Sequence, residues 1–217
     1  MGAHSRSRTE FAVRDGGATR VEIIHGGRAP WDFRPHFHAA DELVEITAGR
    51  ARLRLGDGWR LVEAGERLVV PAGAVHRFEP VDRDGWGFAS EFVSPANPAG
   101  LLAAPAVSRD GGFGARVRAA LSERLSLQTD VRAIAEALEV SVGYLSRAFK
   151  RDTGTSLHNF HVLMALQKAK YLMRAHEPVA HAAVDAGFCD QAHLTREFVR
   201  TLGMTPGTFR SAWTTVA

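Results

Sequence analysis

His36, His38 and Glu42 put two imidazoles and a carboxylate at even-numbered positions, so on a continuous strand all three would project from one face together with Val44 and Ile46. Gly49 follows seven residues after the glutamate, and further on Gly65, Pro71, Gly73 and His76 stand in the spacing Gly-x5-Pro-x-Gly-x2-His. Imidazole nitrogens and carboxylate oxygens bind divalent first-row metals, and the same groups hydrogen-bond small polar ligands. A second set lies far along the chain. Gly143, Ser146, Arg147 and Lys150 fall at i, i+3, i+4 and i+7, and Ala192, Thr195, Arg196 and Val199 repeat that spacing. A small residue, a hydroxyl and an arginine on one helix face suit a DNA major groove. The small side chain permits close approach, and the guanidinium pairs bidentately with guanine O6 and N7.

The chain that positions these residues is 217 residues long, enough for two domains of about 100 residues each. With 45% hydrophobic and 24% charged residues it has an ordinary globular composition, which excludes disordered, collagenous and coiled-coil classes. No apolar run approaches the roughly 20 residues of a membrane span. Met1–Thr9 carry His4, Arg6 and Arg8 with no apolar stretch behind them, so no secretory signal is read there. The single cysteine, Cys189, cannot form an internal bridge, and a cytoplasmic location without a membrane partner is expected. Cut near residue 107, the chain carries a net charge of −1 in its first part and +4 in its second, which directs the second part at a polyanion.

Up to Val93 the chain reads as short strands separated by turns: Val21–Ile24, Leu43–Thr47, Ala51–Leu55, Arg67–Val70 and Gly87–Val93, with a hairpin signal at Gly56-Asp-Gly58. Ala51, Leu53 and Leu55 alternate inward while Arg50, Arg52 and Arg54 face water. This spacing predicts a sandwich or barrel over residues 1–93, with 1–18 as an N-terminal arm. Trp31, Phe33 and Phe37 flank the histidines, as pocket wall or as core. Residues 94–112 are rich in Pro, Gly and Ala and read as a linker with a short helix at 100–104. From residue 113 the period turns helical: Val117, Leu121 and Leu125 step by four, and Val131, Ile134, Ala135 and Leu138 form one stripe.

The helical part contains an internal repeat. Displaced by 49 positions, Leu145-Ser-Arg-Ala-Phe149 falls on Leu194-Thr-Arg-Glu-Phe198, Arg151 on Arg200, Gly154 on Gly203 and Ser141 on Asp190, the last pair being good N-caps. Upstream, Ile134 and Ala135 fall on Ala183 and Val184. Two helix-turn-helix units follow, each with a buried face (Leu145, Ala148, Phe149; Leu194, Phe198, Leu202) and the free face described above. Between them Phe160, Leu163, Leu166, Ala169 and Met173 describe a long helix that fixes their relation, so that the units read major-groove faces about one turn apart.

The segments Leu145-Ser-Arg-Ala-Phe-Lys-Arg-Asp-Thr-Gly154, Ala183-Val-Asp-Ala-Gly-Phe188, Leu194-Thr-Arg-Glu-Phe198 and Gly203-Met-Thr-Pro-Gly207 resemble the AraC/XylS family of bacterial transcription regulators over residues 115 to 212. The resemblance implies a seven-helix DNA-binding domain whose third and sixth helices enter adjacent major grooves. It carries base or backbone contact onto Gly143, Tyr144, Ser146, Arg147 and Lys150, and onto Gln191, Ala192, Thr195 and Arg196. Where the family's linker helix begins Arg-Leu-x-x-Ala, this chain has Ala165-Leu-Gln-Lys-Ala169, so no arginine contact transfers to position 165. Cys189 reads as an ordinary turn residue.

The spacings around the histidines resemble the two cupin motifs, with Pro30 and Pro80 where a Gly and an Asn are usual. That resemblance implies a small antiparallel β-barrel. The fold class is then α+β with two domains, a cupin-like barrel followed from residue 113 to 217 by an all-α domain with two helix-turn-helix motifs. In the barrel His36, His38, Glu42 and His76 converge, a set that suits Fe, Mn, Ni, Co, Cu or Zn. Related regulators also use these inward positions to hold a small molecule instead.

Together the readings predict a ligand-responsive DNA-binding regulator and not an enzyme. Its partners are double-stranded DNA, a small-molecule or metal effector, and a second copy of the chain as a homodimer. A metal-dependent cupin dioxygenase or isomerase with an accessory helical domain is the competing class; the doubled helix-turn-helix, which catalysis does not need, separates the two. A constitutive DNA-binding protein whose barrel only dimerises is a third.

Overall fold

The computed structural model describes residues 9–56, 58–95, 117 and 130–215. The expected linker beyond Pro95, its short helix at 100–104, and Leu121 and Leu125 lie outside the described residues. Seven antiparallel strands come first: β1 (Thr9–Asp15), β2 (Thr19–Ala29), β3 (Glu42–Leu55), β4 (Gly58–Glu63), β5 (Arg67–Val70), β6 (His76–Pro80) and β7 (Trp86–Pro95). The stretch read as an N-terminal arm therefore contributes a strand, since residues 9–15 pair with β2.

Long strand β3 organises this domain by changing partners. Residues 42–49 pair with β7 and the first of them also with β5, whereas residues 50–55 pair with β4 and β6. The change falls at Gly49, whose φ of 68° is left-handed and whose hypothetical Cβ would stand 2.4 Å from the Gly85 carbonyl oxygen. Val44, Ile46, Ala51, Leu53, Phe78, Trp86 and Phe88 fill the space between the two halves. Arg50 and Arg52 face outward as predicted, but Arg54 is half-buried with its Nε covered, and Leu55 at the strand end is exposed.

The expected barrel is not closed. The strand order is β1-β2-β7-β3-β4, and among the described residues neither β1 nor β4 has a second strand neighbour. β1 is covered instead by the helical domain, where Phe11 stacks on Phe209 with ring centroids 5.2 Å apart. Packing against a helix shields this edge without closure.

The described helices are α1 (Val131–Ala137), α2 (Val142–Thr153), α3 (Leu157–Arg174), α4 (Val179–Asp185), α5 (Gln191–Leu202) and α6 (Pro206–Thr214). α2 and α5 have the same length and the same local signals. Ser141 Oγ accepts from the Tyr144 N–H at 3.2 Å and Asp190 Oδ1 from the His193 N–H at 2.6 Å. Gly154 and Gly203 end them in the left-handed conformation.

The 49-residue displacement does not hold through the preceding helices. Ile134 and Ala135 correspond structurally to Ala182 and Ala183, 48 positions on, because Val140 N–H bonds the Ala135 carbonyl as Phe188 N–H bonds that of Ala183. All four are buried, whereas Val184 is exposed. The second turn is one residue longer, and the inserted residue is Cys189, which is exposed. Among the described residues no helix is long and apolar enough to cross a membrane.

Helix α3 is buried around almost its whole circumference, not on one stripe. One side holds the helix-turn-helix core, with Phe160 against Phe149 of α2; the other meets the β domain. Burying leucine and phenylalanine side chains this way contributes about 1.5–3 kcal/mol each.

Candidate metal centre and DNA-reading helices

His36 and His38 do not lie on a continuous strand with Glu42. They sit on the bent segment before β3, where His36 makes an isolated bridge to His76 and residues 39–40 turn the chain before Glu42 opens the strand. Pro35 lacks an N–H and cannot extend a ladder. The segment nevertheless brings the four sequence-predicted residues together. His36, His38, Glu42 and His76 are all buried, and a ligand nitrogen of each histidine lies within 4.8 Å of the others. Glu42 Oε2 is 3.1 Å from His76 Nε2 and 3.4 Å from His38 Nε2.

The outer nitrogens orient the rings. His36 Nδ1 lies 2.8 Å from the Arg34 carbonyl oxygen and His76 Nδ1 3.0 Å from that of Ala74. With Nδ1–H donating to a carbonyl, each Nε2 keeps its lone pair for the cluster, the second-layer arrangement that sets tautomers around metals. Beyond these mutual contacts His38 Nε2, His76 Nε2 and Glu42 Oε2 have no hydrogen-bond partner, and His38 Nδ1 has none either. Buried acceptors left unpaired are costly, and an ion shared among them removes the cost.

Burial holds His36 well below the ordinary histidine value, and the nearby charges of His76 and His38 push in the same direction. Burial likewise lowers His38, against the opposing charge of Glu42. Burial alone would raise Glu42, but the charge of His38 and its contacts with His38 and His76 hold it well below the ordinary carboxylate value. Lowering His36 and His38 favours the neutral imidazole, and lowering Glu42 favours the carboxylate, the forms that ligate metal.

The cavity lined by His36, His38 and Glu42 has a volume of about 30 Å³, and Phe33, Trp86, Phe88 and Phe92 form much of its wall. Space for one water is about 10–15 Å³ on this scale. Phe33 thus lines the cavity; Trp31 stacks outside it on Phe33, and Phe37 turns away into the helical core. The cavity's far wall is Thr201 and Leu202, the last residues of α5.

On α2, Gly143, Tyr144, Ser146, Arg147 and Lys150 are all exposed while Leu145, Ala148 and Phe149 are buried. On α5, Gln191, Ala192, Arg196 and Val199 are exposed, and Thr195 is half-buried with its hydroxyl donating to the Gln191 carbonyl at 2.8 Å.

The sequence reading missed a third cluster. Glu22 of β2 accepts from Arg174 Nη2 at 2.5 Å, Arg174 Nε at 3.0 Å, Lys170 Nζ at 3.3 Å and Trp213 Nε1 at 3.0 Å, all buried between the domains. Burial alone would raise the Glu22 carboxyl; the charge of Arg174, then that of Lys170, brings it down to about 2. Lys170 is itself pushed below its ordinary value by burial, which Glu22 only partly offsets, so Arg174 is the cation that holds the carboxylate. The available signals were a lone acid in the apolar run Val21-Glu-Ile-Ile24 and two cations at i, i+4, on the helix face that also carries Ala169 and Met173 next to them.

A family model described as AraC-like ligand binding domain matches residues 20–139, and one described as helix-turn-helix domain matches residues 134–212. The chain belongs to the AraC family. This AraC-family chain is a DNA-binding regulator with an N-terminal ligand-binding domain, and not an enzyme. Its fold is similar to that of ToxT from Vibrio cholerae O395, at 8% identity and a TM-score of 0.58, covering 91% of this chain and 98% of that one. It is similar also to wild-type ToxT from Vibrio cholerae strain SCE256 with unsaturated fatty acid bound, at 10% identity and a TM-score of 0.59, covering 94% and 99%. No curated protein sequence matches this AraC-family chain.

Proposed function

We propose that this AraC-family regulator senses a divalent first-row transition metal bound by His36, His38, Glu42 and His76, and that metal occupancy alters its affinity for double-stranded DNA. It acts in the cytoplasm, alone or as a homodimer. The observation that carries the metal reading is the convergence of three buried imidazoles, with the Glu42 carboxylate against two of them, in which His38 Nε2, His76 Nε2 and Glu42 Oε2 have no partner beyond one another. Bound there, a metal would be held by imidazole lone pairs, and the Glu42 carboxylate would compensate part of its charge.

The cavity favours this over an organic effector. Pockets for drug-sized ligands are roughly 300–1,000 Å³, and this one, at about 30 Å³, takes an ion with a water or two. The unsaturated fatty acid of the ToxT structure has no comparable space here.

DNA is read by α2 through Gly143, Tyr144, Ser146, Arg147 and Lys150, and by α5 through Gln191, Ala192, Thr195 and Arg196. The exposure of these side chains on faces opposite the buried ones supports that assignment. The domain boundaries expected from the sequence, a sensor domain to residue 93, a linker over 94–112 and a DNA-binding domain from 113, fit this reading except that β7 carries the sensor domain to residue 95.

Elemental analysis of the purified chain tests the metal reading. Close to one transition-metal ion per chain, lost in His76→Ala, is expected; no metal in either protein would refute it.

A further inference from the structure

Between Pro35 and His38 the chain sends alternate side chains to two destinations. His36 and His38 turn into the metal cavity. Phe37, between them, turns into the helical core, where it is 1% exposed with its ring 5.3 Å from that of Phe160 on α3. The backbone is held by the same helix: Asn159 Nδ2 donates to the Pro35 carbonyl at 3.0 Å and Gln167 Nε2 to the Phe37 carbonyl at 3.0 Å. From the β side, His36 and His76 exchange backbone hydrogen bonds at 2.9 and 2.8 Å, and the Gly73 N–H donates to the His38 carbonyl at 2.8 Å.

Helix α3 joins the two helix-turn-helix units, and both reading helices end against the sensor domain. Thr9 Oγ1 donates to the carbonyl of Gly203, the C-cap of α5, at 3.0 Å. A Cβ on Gly154, the C-cap of α2, would lie 3.4 Å from Arg54 Cζ. Thr201 and Leu202 of α5 themselves wall the cavity.

We propose that Pro35–His38 is the coupling element between the metal site and the DNA-reading helices, with Asn159 and Gln167 as positioning residues for His36 and His38. This rests on the metal reading of the four-residue site. His36 and His38 cannot shift without moving the Phe37 ring and the two carbonyls bonded to α3, because three consecutive residues have no slack between them. Metal occupancy and the placement of α3 are therefore one equilibrium, and the coupling is reciprocal: DNA changes metal affinity by the factor with which metal changes DNA affinity.

The test uses the full chain, Co²⁺ as a probe with its own d–d absorption, and a duplex enriched by the wild-type protein from a random-sequence pool. In wild type, saturating Co²⁺ is expected to change duplex affinity by about fivefold or more. The double variant Asn159→Leu/Gln167→Met removes both N–H donors without adding charge. It should bind Co²⁺ about 10-fold or more weakly, bind the duplex without metal as wild type does, and lose most of the Co²⁺ response. A double variant with wild-type Co²⁺ affinity and response overturns the coupling and leaves the metal reading standing; no Co²⁺ band in wild type overturns both. If the double variant does not fold, amide exchange in wild type decides. Co²⁺ must slow exchange in α3 and α5, and slowing confined to residues 36–92 overturns the proposal.

Discussion

Glu22 of β2 and Arg174 of α3 stand 152 positions apart in the chain and meet as a buried pair, with Nε at 3.0 Å and Nη2 at 2.5 Å from the same carboxylate oxygen. With Lys170 and Trp213 on the same carboxylate, this is where the sensor domain is latched to the helix joining the reading units. Glu22→Ala leaves two buried cations without a counter-charge. It is expected to cost about 3–5 kcal/mol, seen as a lower urea midpoint.

The same pair predicts an acid-sensitive contribution. The Glu22 carboxyl lies at about 2 in the folded chain, against an ordinary value of 4.5. As pH falls the unfolded chain takes up this proton first. The stability gained is therefore complete above pH 4.5 and lost as pH drops from there toward 2, in total about 3 kcal/mol. The difference in unfolding free energy between wild type and Glu22→Gln, followed from pH 6 to pH 2.5, should shrink over that window; a constant difference would contradict the assignment.

DNA reading is expected to depend on both arginines. Arg147→Ala and Arg196→Ala should each cost about 1–3 kcal/mol of specific binding and relax base preference at one position of the site. Gel-shift titrations on the enriched duplex and on single-base variants of it check this. Wild-type affinity in both variants would mean that the free faces of α2 and α5 are wrongly assigned.

Gly49 should resist substitution more than an equally left-handed glycine in open space. A Cβ at Gly49 would meet the Gly85 carbonyl oxygen at 2.4 Å, whereas one at Gly17, with φ of 77°, would meet nothing within 4 Å. Gly17→Ala is expected to cost about 1 kcal/mol from backbone strain alone, and Gly49→Ala at least about 2 kcal/mol. Thermal unfolding of the two variants measures the difference.

The second-unit helices show where pattern reading stops. The match at 49 positions is right from Ser141 and Asp190 onward, because N-caps, glycine C-caps and an apolar face at helical spacing are local and recur wherever the same turns recur. Upstream it slipped by one residue, since Cys189 adds to the turn without altering composition or period, and only the hydrogen bonds of Val140 and Phe188 reveal the true register. The histidines behave alike. Their spacing named the four residues, yet His36 and His38 reach the cavity from a bent segment, and their shared face comes from pairing with His76, not from strand alternation.

By itself, then, the sequence determined two domains, a strand-rich sensor ahead of a doubled helix-turn-helix, the exposed faces of α2 and α5, and the four residues His36, His38, Glu42 and His76 that come together. All of these are written in short-range spacing, capping and alternation. Tertiary structure alone decided that the sheet stays open, with β1 under α6, that Glu22 is neutralised by Arg174 and Lys170, and that Phe37 points away from the histidines on either side of it. Each of those depends on which surfaces meet across more than a hundred residues of chain. The free energy of such a contact belongs to the pair and not to either residue's neighbourhood.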